Sequence, residues 1–466
     1  MQFESGKNRV LSVFTLVMIN VIAIDSLRNL PANASMGLGI VFFYILAGFL
    51  FLLPCVLITA ELATHWPKTG GAYVWVKEAF GPRWGFLNIW LQWIYNVIWY
   101  PTILSFIAAN VAYLINPSLA NNKLFLLPMI IGMFTIATLA NWFGMKISGL
   151  VSSASAILGT IVPMLLIIGL GIAWLYQGKT VAITPTFSHF FPKMSQVHNL
   201  AFLVVVFFSL MGLEMSAVHA EEVKNPVRDY PRALIYSSLI IIATLILASC
   251  AIAIIVPQTD LNIVSGLDQA YALFLNALHL KWLLPIIVVL IILGAFGGMA
   301  AWVIGPTKGL LVAAEDKCAP KVFAKHSKKN VPTTILILQW VVVVALCCLF
   351  LFFKYISTWY WILSDLTSQL ALMFYIVLFA AAIRLRYKTP ENSNAFRIPG
   401  GKFGIWLVGS IGILSCVTAI IIGLIPPDNI KIGSVALYET ILIGGILLLT
   451  IIPLWISRQR GTSRET

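Results

Sequence analysis

Apolar stretches of about twenty residues recur from one end of this chain to the other, each bounded by a short polar or basic segment. That is the length a helix needs to cross the hydrocarbon of a bilayer, so the pattern predicts membrane-spanning helices rather than strands or a soluble core. Twelve spans are read: residues 10–31, 38–63, 85–115, 124–142, 147–176, 200–220, 233–256, 282–314, 332–353, 355–383, 403–425 and 435–456. The predicted fold class is an all-α polytopic membrane protein. Short ends, residues 1–9 and 457–466, flank the spans, and no polar loop is long enough for a soluble domain, so the spans hold the function.

Two spans break the apolar pattern. The first carries "IDSLRNLP", with Asp25, Arg28 and Asn29 just before Pro31, although an ionised group at mid-bilayer costs roughly 2.5–3.5 kcal/mol even on lenient insertion scales. The sixth carries "FFSLMGLEMSAVHAEE", which sets Ser209, Gly212, Glu214, Ser216 and His219 in an apolar run. Five crossings separate entry to span one from entry to span six, an odd number, so the two enter from opposite sides. Residues 10–176 and 200–383 then read as two inverted five-helix repeats, with interrupted helices at matching places pointing to a central transport site. Spans eleven and twelve, residues 403–456, are left with a peripheral or oligomeric role, a homodimer being one form of it. A break frees backbone N–H and C=O groups at membrane depth, and helix ends carry partial charge, so such a site can hold an anion and a cation together.

Charge fixes a predicted orientation. Of the 30 Lys and Arg residues, 22 fall on the side of the N-terminus when loops are assigned alternately, six fall opposite, and Arg28 and Lys308 lie within spans. Basic residues accumulate in cytoplasmic loops, so both termini are expected in the cytoplasm of an inner or plasma membrane protein. The net charge of +13 is therefore an orientation signal and not a nucleic-acid footprint. The six cysteines have neither metal-ligand nor disulfide spacing, and no His, Cys and carboxylate cluster suggests an enzyme; no cofactor and no metal is expected. The first apolar run lacks a small-residue cleavage site, so no cleavable signal peptide is read. Residues 266–280 read as a short amphipathic helix on the outer surface, and residues 317–330 as a basic solvated loop.

The candidate site gathers Ile24, Asp25, Ser26, Arg28, Ser209, Gly212 and Glu214 from the two breaks, with aromatic walls from Tyr95, Trp99, Trp302, Tyr100 and Tyr375. Asp25 and Arg28 are three residues apart, close enough to pair with each other; the alternative is that Asp25 attracts a substrate ammonium and Arg28 takes a carboxylate through a two-pronged bond. Glu214 is a protonated group, a partner for freed backbone, or a coupling or substrate-binding group. Asp365, in "WILSDLTSQLALMFY", Tyr375 and His219 complete the coupling and gating candidates, His219 lying nearest the polar segment and suiting a solvated or capping role. A small zwitterion suits such a site, and the other expected partner is the lipid. A channel or a sensor on the same fold is the competing class, but the scattered intramembrane charges form no repeated rings.

"EEVKNPVRDYPRAL" after the sixth span resembles the cytoplasmic signature of the amino acid–polyamine–organocation (APC) superfamily, and "LPANAS" resembles the arginine/agmatine antiporters. In order along the chain, "GPRWGF", "FFPKMSQV", "MGLEMSAVHAEEVKNPVRDYP", "WVIGPTKGL", "FRIPGGK" and "IPPDNI" resemble the glutamate/GABA antiporter branch. The likeness implies two inverted five-helix repeats, a bundle with spans one and six rocking against a scaffold, and secondary transport by exchange, with proton-coupled uptake as the alternative. Many relatives have a Gly-Ser-Gly-like stretch in the first break; Ile24, Asp25 and Ser26 stand there here. Sodium-coupled relatives use hydroxyl residues on span eight, which "GAFGGMAAWVIGP" lacks, so sodium-independent transport is expected. The branch's long C-terminal plug and the acidic residue before "WVIGP" are missing.

Overall fold

A computed structural model describes residues 11–67, 70–143, 157–192, 200, 202–327, 331–353, 355–388, 395–426 and 434–462. Among them the chain is helical throughout, its one β-type pairing being an isolated parallel bridge between Leu11 and Val223. Eleven helices are long and apolar enough to cross a membrane, and a shorter apolar segment, Leu203–Ala217, stands in the place of the sixth expected span.

The first span is two helices. Ser12 caps α1 (Val13–Ile24) by accepting from the Thr15 N–H. The backbone then opens, with Asp25 and Ser26 both extended, and resumes through one tight turn (Leu27–Asn29) into α2 (Leu30–Ala34). Pro31, with no N–H to give, sits in the first turn of α2, where its ring suits a new helix. The second span runs through α3 (Ile40–Ala47), a wide turn (Gly48–Leu52) and α4 (Leu53–His65). A short helix not foreseen in the sequence, α5 (Ala72–Phe80), precedes α6 (Pro82–Ile115). Next come α7 (Lys123–Trp142) and α8 (Val162–Tyr176), the latter led by a wide turn (Ile157–Ile161); residues 147–156 of the fifth expected span lie outside the described residues.

The sixth span is interrupted, as its polar residues lead one to expect. Helix α9 (Phe202–Ser209) stops, Leu210 and Met211 close single turns, and Gly212 takes φ +122° before the tight turn Leu213–Glu222. L side chains rarely adopt that backbone, and a Cβ on Gly212 would lie 3.2 Å from Ile24, so the two breaks touch at a residue that must be small. The helix α10 (Pro226–Ile255) begins seven residues before the expected span, with Pro226 in its first turn, which puts Arg228 and Arg232 on the helix rather than in a loop. The amphipathic helix appears as α11 (Gly266–Ala277), followed by α12 (Leu284–Glu315), α13 (Thr333–Leu349), α14 (Ile356–Arg386), α15 (Gly401–Gly423) and α16 (Val435–Thr462). In the basic segment after α12 a turn at Lys321–Ala324 buries Phe323.

The best-buried long helices are α6 and α14, which pack on each other, α6 also on α12 and α14 also on α9, whereas α15 and α16 turn large apolar side chains such as Trp406, Leu414, Leu448 and Trp455 outward. Gly159 and Gly294 bring α12 against the turn ahead of α8 so closely that a Cβ on Gly159 would lie 2.3 Å from the Gly294 backbone. We expect Gly212→Val to lower the melting temperature of the solubilised protein, with strain of about 1–3 kcal/mol from the backbone alone; an unchanged melting curve would contradict the account of this break.

Candidate functional site

The first break presents two ionisable side chains that do not pair with each other. Asp25 turns toward α10, where the Thr244 hydroxyl donates to its Oδ2 at 2.8 Å. Arg28 turns toward α6 and α14: its Nη1 donates to Thr102 Oγ1 at 2.9 Å, to the Tyr360 hydroxyl at 3.2 Å and to Ser364 Oγ at 3.3 Å, while Nη2 donates to Asn29 Oδ1 at 2.7 Å. The rings of Phe208 and Tyr360 flank the guanidinium at 5.6 and 5.5 Å. Asp25 and Arg28 are 3% and 2% exposed, and Asp25 Oδ1 and Arg28 Nε have no hydrogen-bond partner. All the acceptors that meet Arg28 are neutral. A buried charge with no opposite charge nearby is costly, more so than a neutral polar group.

The second break is held differently. The Gly212 N–H donates to the Tyr375 hydroxyl at 2.8 Å, and that hydroxyl in turn donates to Glu214 Oε2. One tyrosine on α14 therefore meets a backbone group freed by the break and the carboxyl two residues on. Ser209, at the end of α9, donates to the Val206 carbonyl at 2.7 Å and shares a 3.0 Å bond with the Tyr44 hydroxyl, which accepts from Asn33 Nδ2 at 2.6 Å.

Between the breaks lie two adjoining hollows of about 50 and 60 Å³, room for a few waters each. Ile24, Ser26, Tyr95, Asn96, Trp99, Gly212 and Trp302 line the first; Asp25 and Arg28 line the second with Thr160 and Gly298; and Ser26, Trp99 and Trp302 are common to both. Trp99 and Trp302 meet edge to face at 6.3 Å, and the Tyr100 hydroxyl donates to the Trp302 carbonyl at 2.9 Å. Both hollows are small.

The structure thus brings together Ile24, Asp25, Ser26, Arg28, Tyr95, Trp99, Gly212 and Trp302. It places Ser209 and Glu214 off the walls, engaged with Tyr44 and Tyr375. Asp365 lies elsewhere: it accepts from the Tyr438 hydroxyl at 2.6 Å and from Gln369 Nε2 at 3.3 Å, tying α14 to α16. The side chain of His219 lies outside the described residues. Sequence reasoning missed the neutral partners Thr244, Thr102, Tyr360 and Ser364. It also missed a buried ion pair: Arg386 at the end of α14 donates to Glu61 on α4 and to the carbonyls of Ile398 and Gly401, and the Ile398 N–H donates to the same carboxylate at 2.8 Å. Glu61 in an apolar run was the available signal. On the same face, Lys77 and Tyr73 of α5 both reach Asp316 at the end of α12. Among the described residues no group of His, Cys and acidic side chains could hold a metal.

The model of the family described as amino acid permease matches residues 11–447, nearly the whole chain. The chain belongs to that family. The permease is 52% identical to the uncharacterized transporter lpg1691 of Legionella pneumophila over 97% of each chain. It is 28% identical to a glutamate/gamma-aminobutyrate antiporter of Lactococcus lactis over 95% of this chain and 89% of that one. It is 25% identical to the probable agmatine/putrescine antiporter AguD of the same species, over 98% and 96%. The permease is therefore a multi-pass membrane transporter of amino acids or related amines, of the APC superfamily suggested by its motifs, and not an enzyme.

Removing one partner of a buried ion pair leaves an uncompensated charge, which typically costs about 3–5 kcal/mol. Glu61→Ala should accordingly lower the melting temperature of the permease sharply, whereas Glu61→Leu combined with Arg386→Met should recover most of the loss. Equal stability of the single and double variants would refute the pairing.

Proposed function

We propose that this permease is a sodium-independent amino acid exchanger working by alternating access, with both termini cytoplasmic. Residues 10–176 and 200–383 form its inverted repeats, and residues 403–456 form a peripheral pair. The observation that carries the reading is the buried Arg28, which meets only neutral acceptors three residues from a buried Asp25 that has one carboxylate oxygen unmet. A substrate with a carboxylate and an ammonium supplies the missing opposite charge to both. Exchange is favoured over net uptake because two of the relatives above are antiporters by name and because charge lining the first break makes an empty return costly.

In this scheme the hollows flanking Trp99 and Trp302 enlarge to admit substrate. Arg28 ties the first span to α6 and α14 on one side of the hollows, and Tyr375 ties the sixth span to α14 on the other. A ligand shifts such an equilibrium only by its unequal affinity for the two states, so these ties must differ between the outward and inward conformers. Lys77 and Asp316, with Glu61 and Arg386, close the cytoplasmic face.

The test is counterflow in proteoliposomes. Preloading with glutamate or GABA should accelerate uptake of a labelled substrate by the exchanger, and agmatine, which has no carboxylate, or an imposed sodium gradient should not. Arg28→Ala should cut exchange about tenfold to a hundredfold, the loss of a charge-assisted bond of about 1.5–3 kcal/mol, while leaving the protein inserted and folded. Exchange at the wild-type rate in that variant would remove the basis of this assignment.

A further inference from the structure

The helix α11 (Gly266–Ala277) lies between the ends of α10 and α12, outside the membrane-crossing helices, and backs onto the second half of the first span, where Gly266 meets Pro31. Its inner face is Gly266, Leu267, Ala270, Tyr271, Phe274 and Leu275, and among these apolar groups stands Asp268, with no exposed surface. Neither Oδ1 nor Oδ2 of Asp268 has a hydrogen-bond partner. An Asp in the first turn of a helix ordinarily reaches back to a free backbone N–H; this one does not, so capping does not account for it.

A buried carboxylate needs a cation, a set of donors or a proton. The titratable groups that act on Asp268 are two phenols, Tyr113 at the end of α6 and Tyr271 on its own helix, and the Tyr271 hydroxyl is committed to the Pro163 carbonyl. The remaining neighbours offer no charge: α2 and α8 have no charged residue, α10 has none after Arg232, and α12 has none before Lys308. Asp260, His279 and Lys281 in the adjoining turns are exposed.

We infer that Asp268 is a proton-binding site whose occupancy favours the seated position of α11 over the outer half of the first span. Lifting α11 exposes the carboxyl to water, where it gives its proton to the external solvent; reseating the helix takes one proton back. The inference rests on the alternating-access reading above, which makes α11 an outer lid. Burial raises the Asp268 carboxyl from 3.8 to about 8 in the seated conformer. Because the raised value belongs to the seated state, that state is favoured most at low pH, and the advantage is lost as pH rises through about 8. Between pH 9 and pH 6 the ratio of seated to lifted lid should rise about a hundredfold.

Two readouts on the full-length protein in lipid test this. Infrared difference spectroscopy should show a carboxylic C=O band that titrates near pH 8 and is missing in Asp268→Asn. Spin labels at Asn276 on α11 and Asn121 beside α7, both exposed, should report a longer and broader distance at pH 9 than at pH 6. Asp268→Asn should hold the pH 6 distance at every pH, and Asp268→Glu should restore the response. A wild-type pH response in Asp268→Asn, or a wild-type protein with neither band nor distance change, overturns the inference. Addition of glutamate or GABA at fixed pH separates the two readings. A titrating band with no substrate-dependent distance change retains the proton site and sinks alternating access, whereas a substrate-driven change without the band does the reverse.

Discussion

Inside a bilayer every backbone N–H and C=O must find a partner in the protein, and this chain departs from continuous helix at two places that touch each other. The rest of the arrangement follows from how those places are managed. The extended Asp25 and Ser26 carry the chain across the first, and Pro31 sits in the first turn of the helix that follows. Gly212 makes the second, with a backbone angle that L side chains rarely take and an N–H that only a distant tyrosine receives. Because Ile24 lies against Gly212, movement of either broken span is felt by the other, which suits a unit that must shift as one body. The long, well-buried α6 and α14 supply the partners for both breaks and so act as the frame against which they are measured.

The two buried arginines show how environment separates structure from availability. Arg386 has a carboxylate and two carbonyls, so its charge is answered within the protein. Arg28 is no more exposed, yet its hydrogen bonds go to hydroxyls and an amide, beside two aromatic rings. Neutral acceptors orient a guanidinium without neutralising it. The first arrangement suits a fastening between α4, α14 and the segment before α15; the second leaves an unbalanced charge beside a hollow. The same side-chain type serves different ends because of what the fold brings to it, and nothing in the local sequence separates the two.

How far this was legible can be seen residue by residue. Apolar runs of bilayer length gave the helices, and Pro31 and Gly212 marked the breaks, because length and backbone chemistry are local properties. The pairing of Asp25 with Arg28 was one of two open readings from spacing alone, and the structure shows neither bonded to the other. Apart from Asn29, their partners lie 74 to 336 residues away, at Thr102, Thr244, Tyr360 and Ser364, and spacing along one helix carries no information about such contacts. Glu214 and Asp365 drew notice as carboxylates in apolar runs, but that signal does not say whether a group faces a cavity or a neighbouring phenol. Glu61 gave the same signal and went unread. Arg386 was assigned to a loop because the hydropathy of the tenth span fades before the helix ends.

Charge at the first break also bears on which amines suit the permease. A diamine would answer Asp25 but set a second cation near Arg28, where no acid is at hand, raising the cost that already burdens that residue. A zwitterion answers both. On the reading proposed here, the presence of Arg28 turns a fold shared with agmatine, putrescine and polyamine carriers toward substrates that keep a carboxylate. Asp25, standing where many relatives have small residues with backbone amides free, turns the ammonium rather than the carboxylate toward the broken helix.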